Sequence, residues 1–233
     1  MDESERIKRV YAQRARDGLE AKYALFNDAS LYAMQRRERE ILRTLKSEGF
    51  ISLSDKRILD VGCGDGGGLR RLLAYGANPS NLWGIDLISD RVLVAKDTNP
   101  LMRVFLGNAE TLPFATQSFD LVMQFVVLSS ILDRQVKRQV ATEMLRVLKP
   151  NGMILWYDLW ASNPRNSNIR GIRRQEIEAL FPGCVFKYRR TTLAPPLARA
   201  LVRYSWLACY LLEKIPLVRT HYLATIRMNH AAS

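Results

Sequence analysis

Residues 58–68 read Ile58-Leu59-Asp60-Val61-Gly62-Cys63-Gly64-Asp65-Gly66-Gly67-Gly68, and the fold is decided in this stretch. Ile58, Leu59 and Val61 form the short apolar run of a buried parallel strand, entered through Lys56 and Arg57. Glycines then occupy positions 62, 64, 66, 67 and 68. Glycine lacks a Cβ and tolerates positive φ, so such a run turns sharply and lets a ligand approach the backbone. Leu69, Leu72 and Leu73, with Arg70 and Arg71 between them, continue as a helix. Strand, glycine turn and helix together predict a nucleotide-cofactor loop at the carboxyl end of the first strand of an α/β sheet.

Two cofactor classes fit the spacing. Gly62, Gly64 and Gly67 satisfy G-x-G-x-x-G, and Asp86 follows Gly62 by 24 residues, as in a dinucleotide site. Asp60, Gly62, Gly64 and Gly66 satisfy the adenosylmethionine pattern, an acid two residues before G-x-G-x-G. A carboxylate suits that second ligand, which offers an ammonium group and no pyrophosphate. A turn with no ligand is the bland alternative; so many glycines weaken a local fold that has nothing to serve.

The 233 residues are 48% apolar, enough for one well-buried domain with at most a small appendage. No uncharged apolar run reaches 18 residues, so no membrane span is expected. The charged start, Met1 to Arg6, does not read as a secretory signal. Cys63, Cys184 and Cys209 are widely spaced and odd in number, which points to reduced thiols and a cytoplasmic protein. The histidines are His221 and His230, and no Cys/His spacing suits a metal. The net charge of +12 is scattered, with small clusters at Arg36–Arg39, Arg173–Arg174 and Lys187–Arg190. Without aromatic interleaving, nucleic acid is not an expected partner.

Upstream of the loop, residues 5–17 and 31–48 read as helices, and residues 1–50 as a helical lid preceding a main domain over 51–233. Tyr11, Arg14 and Tyr23 are candidate lid residues, and packing roles suit them equally well. Downstream, Leu82–Ile85 is a strand ending at Asp86, whose carboxylate can accept both hydroxyls of a ribose. Further strands are expected over 102–106, from 118, and over 153–159, 185–192 and 220–228. Helices are expected over 89–97, 134–148 and 173–180.

Five segments in this order carry a specific resemblance: ILDVGCGDG at 58–66, GIDL at 84–87, GNAETLPF at 107–114, SFDLV at 118–122 and LRVLKPNG at 145–152. Together they resemble class I S-adenosylmethionine-dependent methyltransferases, nearest the ubiquinone/menaquinone methyltransferases and their small-molecule relatives, over about residues 56–159. The resemblance implies an α/β fold: a seven-stranded Rossmann-like sheet, helices on both faces, and the last strand antiparallel. It implies S-adenosylmethionine as cofactor and S-adenosylhomocysteine as product. On it, Asp60, Gly62, Cys63 and Gly64 face the methionine end and Asp86 the ribose. Leu87, Asn108, Ala109 and Glu110 lie beside the adenine, and Gln124 approaches the cofactor's amino group. Asn108 stands where many relatives hold Asp, and its carbonyl oxygen can also accept. Asp120 reads as a structural acid at a strand edge.

Such relatives pass directly from the sixth strand to the seventh. Here about 27 residues intervene, an insert over 193–219 with one helix expected from Leu197 to Leu212. The insert must leave and return at the carboxyl rim of the sheet, over the substrate side, with His221 at its return. Its stretch 195–216 is apolar on more faces than one-sided packing needs. The N-terminal helices, a homodimer mate, or peripheral contact with an anionic membrane at the inner face could cover the surplus. After the fourth strand, Leu128-Ser129-Ser130 offers no base, which leaves Asp158 and His221 as candidate catalytic bases. The absence of an (N/D)PP(Y/F) tetrapeptide argues against amino methylation of adenine or glutamine. Segments 170–172, 193–196 and 219–222 are similar to methyltransferases accompanying glycan genes, implying O-methylation of a sugar, glycan or lipid-linked glycan hydroxyl. C-methylation of a quinone-type acceptor, RNA methylation and non-catalytic cofactor binding stay open.

Overall fold

A computed structural model describes residues 2–18, 24–164 and 166–229; Tyr23 and His230 therefore lie outside the described residues. The chain begins with α1 (Glu3–Arg16) and α2 (Asp28–Ser47). The core elements follow as β1 (Ile58–Val61), α3 (Gly67–Ala74), β2 (Leu82–Asp86), α4 (Ser89–Thr98), β3 (Arg103–Leu106) and β4 (Phe119–Phe125). Next come α5 (Arg134–Val147), β5 (Leu148–Leu159), α6 (Arg174–Leu180) and β6 (Cys184–Leu193). The insert supplies α7 (Pro195–Leu201) and α8 (Trp206–Leu212), and β7 (Arg219–Met228) closes the sheet.

The seven strands run in the order β3-β2-β1-β4-β5-β7-β6. β7 is antiparallel to both neighbours, and β1 to β5 pair in parallel. The strand order reverses between β1 and β4, where Val61 lies opposite Ile85 on one side and Gln124 on the other. In open α/β sheets ligands bind in the crevice outside the strand ends at such a switch point.

Side chains alternate across the sheet. Leu59, Val61, Val122, Trp156, Tyr222 and Ala224 face α5 and α6, packing on Val140, Met144 and Ile177. Ile58, Leu121, Met123, Leu155, Tyr157 and Leu223 face the other way, onto Ile41 and Leu45 of α2 and Leu69 and Leu72 of α3. Asn27 caps α2 by accepting from Ala29 and Ser30 N–H, and Asp133 caps α5 from Gln135 and Val136. Asp120 accepts from Arg57 N–H at 2.9 Å and from Lys149 Nζ at 2.8 Å, a structural role.

Two expectations are corrected. β5 starts at Leu148, so Leu148–Gly152 lies within a strand that was expected only over 153–159. The insert is two helices, not one. The break falls at Val202–Ser205, because Ser205 is extended and its hydroxyl accepts from Ala208 N–H, starting a new helix. The inner side of both helices packs on α2: Ala198, Val202 and Cys209 meet Ala29 and Tyr32. Tyr32 also meets Trp206 edge-on at 5.5 Å and donates to Glu213 at 3.0 Å.

Candidate functional site

The loop after β1 owes its shape to three positive-φ glycines: Gly62 at 72°, Gly64 at 57° and Gly66 at 78°. They fall on the G-x-G-x-G set, whereas Gly67, which the dinucleotide pattern would need, is the first residue of α3. At Gly62 a Cβ would come within 2.4 Å of Val127 Cγ2, so the loop and the segment after β4 close together only on glycine. The loop is stitched to β2. Gly62 and Cys63 N–H donate to Ile85 C=O at 2.8 and 3.1 Å, and Gly64 N–H donates to Asp86 Oδ2 at 2.8 Å. Asp86 Oδ1 accepts from Ile88 N–H at 2.9 Å. Each carboxylate oxygen has one N–H donor and keeps a further lone pair that can accept from a ligand hydroxyl. Cys63 is packing: burial and the Asp60 and Asp86 carboxylates push its thiol up, and Gly84 leaves room for its sulfur.

Asp60 is buried on the α2 side, and among the described residues nothing donates a hydrogen bond to it. Burial, then the Asp86 charge, push its carboxyl up to about 7, against Arg71 and Arg37. Leu87 is half-buried past the end of β2. Exposed Asn108 donates to Ser4 Oγ of α1 at 3.1 Å and to Glu110 Oε1 at 2.8 Å, and accepts from Glu110 N–H at 3.0 Å. Ala109 packs on the core. Gln124 is fully buried; its Oε1 accepts from Val127 N–H at 3.1 Å and its Nε2 has no partner among the described residues. On the same rim α1 donates from Arg6 to Ser130 C=O, and Arg91 of α4 lies over the Tyr11 ring at 4.5 Å. Arg14 stacks on Tyr11 as well, at 5.0 Å.

The two candidate bases are not brought together. Asp158 pairs with Tyr222 and His221 with Leu159, so alternation sends them to opposite faces. Asp158 Oδ2 accepts from Ser129 N–H at 3.0 Å and Oδ1 from its neighbour Leu159 at 2.8 Å. Burial raises it to about 6, opposed by those hydrogen bonds. His221 lies on the Asp60 face, stacked on Tyr157 at 4.8 Å, with Thr220 Oγ1 3.0 Å from Nδ1. Burial, then the Arg37 charge, lower it to about 3, so its imidazole is neutral.

The sequence reading missed the cations beside Asp60. Arg37 of α2 lies over the Tyr157 ring at 5.3 Å and the Phe125 ring at 6.0 Å. Arg71 of α3 stands 2.6 Å from Glu38. With Gly68 and Tyr75 they line a small cavity of about 10 Å³, and among the described residues the buried Tyr75 hydroxyl has no partner. A lone arginine on a charged helix carries no sequence signal. Two β-branched residues in the left-handed region also went unseen: Val126 at φ 60° and Thr192 at φ 66°. Both sit at strand ends around Tyr157, whose hydroxyl is 2.8 Å from Thr192 Oγ1. Backbone strain of this kind recurs at functional sites.

These residues fit a ligand that is cationic at one point and polar elsewhere. Among the described residues nothing donates a hydrogen bond to Asp60, Gln124 Nε2 and Tyr75 Oη lack partners, and the glycines put no side chains at the switch point. An adenosylmethionine molecule has that character.

Residues 59–156 match the methyltransferase domain family. Over 139 residues the chain is 33% identical to a phthiotriol/phenolphthiotriol dimycocerosates methyltransferase of Mycobacterium ulcerans, covering 55% of this chain and 50% of that one. A fatty-acid O-methyltransferase of Mycolicibacterium smegmatis is 37% identical over 105 residues, 44% of this chain and 37% of that protein. The chain thus spans about half, or less, of the length of these curated relatives. Its fold is shared by a TehB-like adenosylmethionine-dependent methyltransferase of Corynebacterium glutamicum. That structure has a TM-score of 0.55 and 17% identity, and the match covers 95% and 98% of the two chains.

Proposed function

We propose that this chain, which carries a class I S-adenosylmethionine-dependent methyltransferase domain, transfers a methyl group to an oxygen of an apolar, lipid-like acceptor. The observation that carries the cofactor half is Asp60: a buried carboxyl to which, among the described residues, nothing donates a hydrogen bond, beside a loop whose positive-φ glycines follow the adenosylmethionine pattern. Bound there, the cofactor supplies a sulfonium methyl as the electrophile. Asp60 would meet its ammonium group, with Gly62, Cys63 and Gly64 offering carbonyl oxygens, since their N–H groups are held by Ile85 and Asp86, and Arg37 and Arg71 would be the cations for its carboxylate. Asp86 takes the ribose; Leu87, Asn108, Ala109 and Glu110 border the adenine. Gln124 presents a free donor, so it suits a carboxylate or the acceptor oxygen rather than the ammonium of the sequence expectation. Residues 1–50 act as a lid, supported by the α1 contacts to Asn108 and Ser130.

Displacement at a methyl carbon is in-line, so holding donor and acceptor in register supplies much of the acceleration. An alcohol must also lose its proton. His221 is the candidate on the Asp60 face, neutral at every working pH, and Asp158 is occupied by backbone donors on the other face. A carboxylate acceptor needs no base.

The lipid-like acceptor is supported by the apolar insert at the carboxyl rim and by the acceptors after which the two mycobacterial relatives are named. A glycan hydroxyl, expected from the sequence, has no such support beyond its lipid-linked form. The test is transfer from methyl-labelled S-adenosylmethionine to lipid extracts, free glycans and RNA. Label in the lipid fraction is expected; label confined to glycans or RNA would overturn the acceptor half alone.

A further inference from the structure

The two insert helices bury one side against α2 and leave the other bare. Tyr204 is 73% exposed, Leu207 65%, Leu211 57% and Leu217 81%, with Trp206 and Ile215 also exposed. Leu207 and Leu211 are one turn apart on α8, so they form one stripe. Phe26, fully exposed, immediately precedes the Asn27 cap of α2, the end of that helix on which Trp206 packs. The exposed charges of the insert itself have one sign, while the exposed acid Asp28 stands beside Phe26 at the start of α2. Arg199, Arg203 and Lys214 are exposed, whereas the insert's acid, Glu213, is buried and paired with Arg36 at 2.6 Å.

From this surface we infer that the insert is a docking face for an anionic lipid bilayer, with Leu207, Leu211 and Leu217 entering the interface and Arg199, Arg203 and Lys214 on the headgroups. The inference extends the proposed function by naming where the acceptor is taken from, but binding to lipid needs no catalysis. Charge selects this occupant over a second copy of the chain. In a two-fold contact the face would meet itself, setting three cations against three with one exposed acid, Asp28 beside Phe26, against them. An anionic surface neutralises them, and each basic residue near it adds roughly fivefold to partitioning. No described helix is long and apolar enough to cross a membrane, so the contact is interfacial. The face also adjoins the rim: the insert leaves β6 beside Thr192 and returns through Thr220 to His221.

Cosedimentation of the full chain with vesicles of phosphatidylcholine, with and without phosphatidylglycerol, tests this. Binding is expected to require phosphatidylglycerol and to weaken with salt. The pairs Leu207→Asp with Leu211→Asp, and Arg199→Glu with Arg203→Glu, should each lower it at least about tenfold. Unchanged S-adenosylhomocysteine binding by calorimetry shows that the variants fold. A folded wild type that ignores both vesicles overturns the inference, as do variants that bind like wild type. A dimer that the leucine pair dissolves, without vesicle binding, would assign the face to self-association instead. Vesicle binding with no methyl transfer to lipid would leave the docking face standing and remove the acceptor proposal.

Discussion

Burial and the neighbouring Asp86 carboxylate hold Asp60 near 7. A carboxyl raised from 3.8 stabilises the fold fully below its unfolded value, and that stability is lost as pH rises through the folded value. Asp60→Asn is therefore expected to stabilise the cofactor-free protein by roughly 1–3 kcal/mol above pH 7, and hardly at pH 4. The same change should weaken S-adenosylhomocysteine at least tenfold, by roughly 1.4 kcal/mol or more. Thermal melts and calorimetry across pH read both; a variant less stable at pH 8 would contradict the assignment. Asp86 is harder to isolate, since it holds Gly64 and Ile88 N–H as well as facing the ribose position. Asp86→Ala should cost roughly 2–4 kcal/mol of cofactor affinity, with Asp86→Asn between it and wild type. At the candidate bases the variants should separate. His221→Phe is expected to lower turnover by less than about a hundredfold, because a base lowered to about 3 is weak. Asp158→Asn should chiefly lower the melting temperature, since its oxygens hold backbone N–H groups. A rate loss above about a thousandfold at Asp158 with an intact fold would reverse these roles.

At the level of elements, the insert shows what sequence can and cannot carry. Its place at the carboxyl rim follows from an even number of crossings in an antiparallel β6–β7 pair, and its apolar surplus is visible in Leu207 and Leu211. The break at Ser205 was hidden, because apolar residues at helical spacing run through it and one hydroxyl decides. Ser205→Ala should remove that cap, costing roughly 0.5–2 kcal/mol, read as a lower melting temperature with cofactor affinity unchanged. Among site residues, Asp60, the glycines and Asp86 announce themselves by spacing along one strand–loop–helix unit. Arg37 comes from a helix 23 residues upstream of Asp60, and its position over Tyr157 depends on how α2 crosses the sheet. Long-range juxtaposition of this kind leaves no local pattern. The strain at Val126 is equally silent, since valine after Phe125 reads as ordinary strand.

Across the whole molecule, the charges divide by position rather than by amount. Much of the +12 is distributed, yet the cations that the proposed function and docking face would use sit at two places: Arg37 and Arg71 beside Asp60, and Arg199, Arg203 and Lys214 on the insert. On that proposal cofactor cleft and insert form one continuous working edge of the sheet. The central claim is that this edge binds S-adenosylmethionine through an ionised Asp60. Calorimetric titration with S-adenosylhomocysteine at pH 6 and pH 8 tests it most directly. An ammonium ligand that requires the carboxylate should bind about tenfold more tightly at pH 8, a proton being released at pH 6, and NAD should not compete. Equal affinity at the two pH values, or tighter binding of NAD, would contradict it.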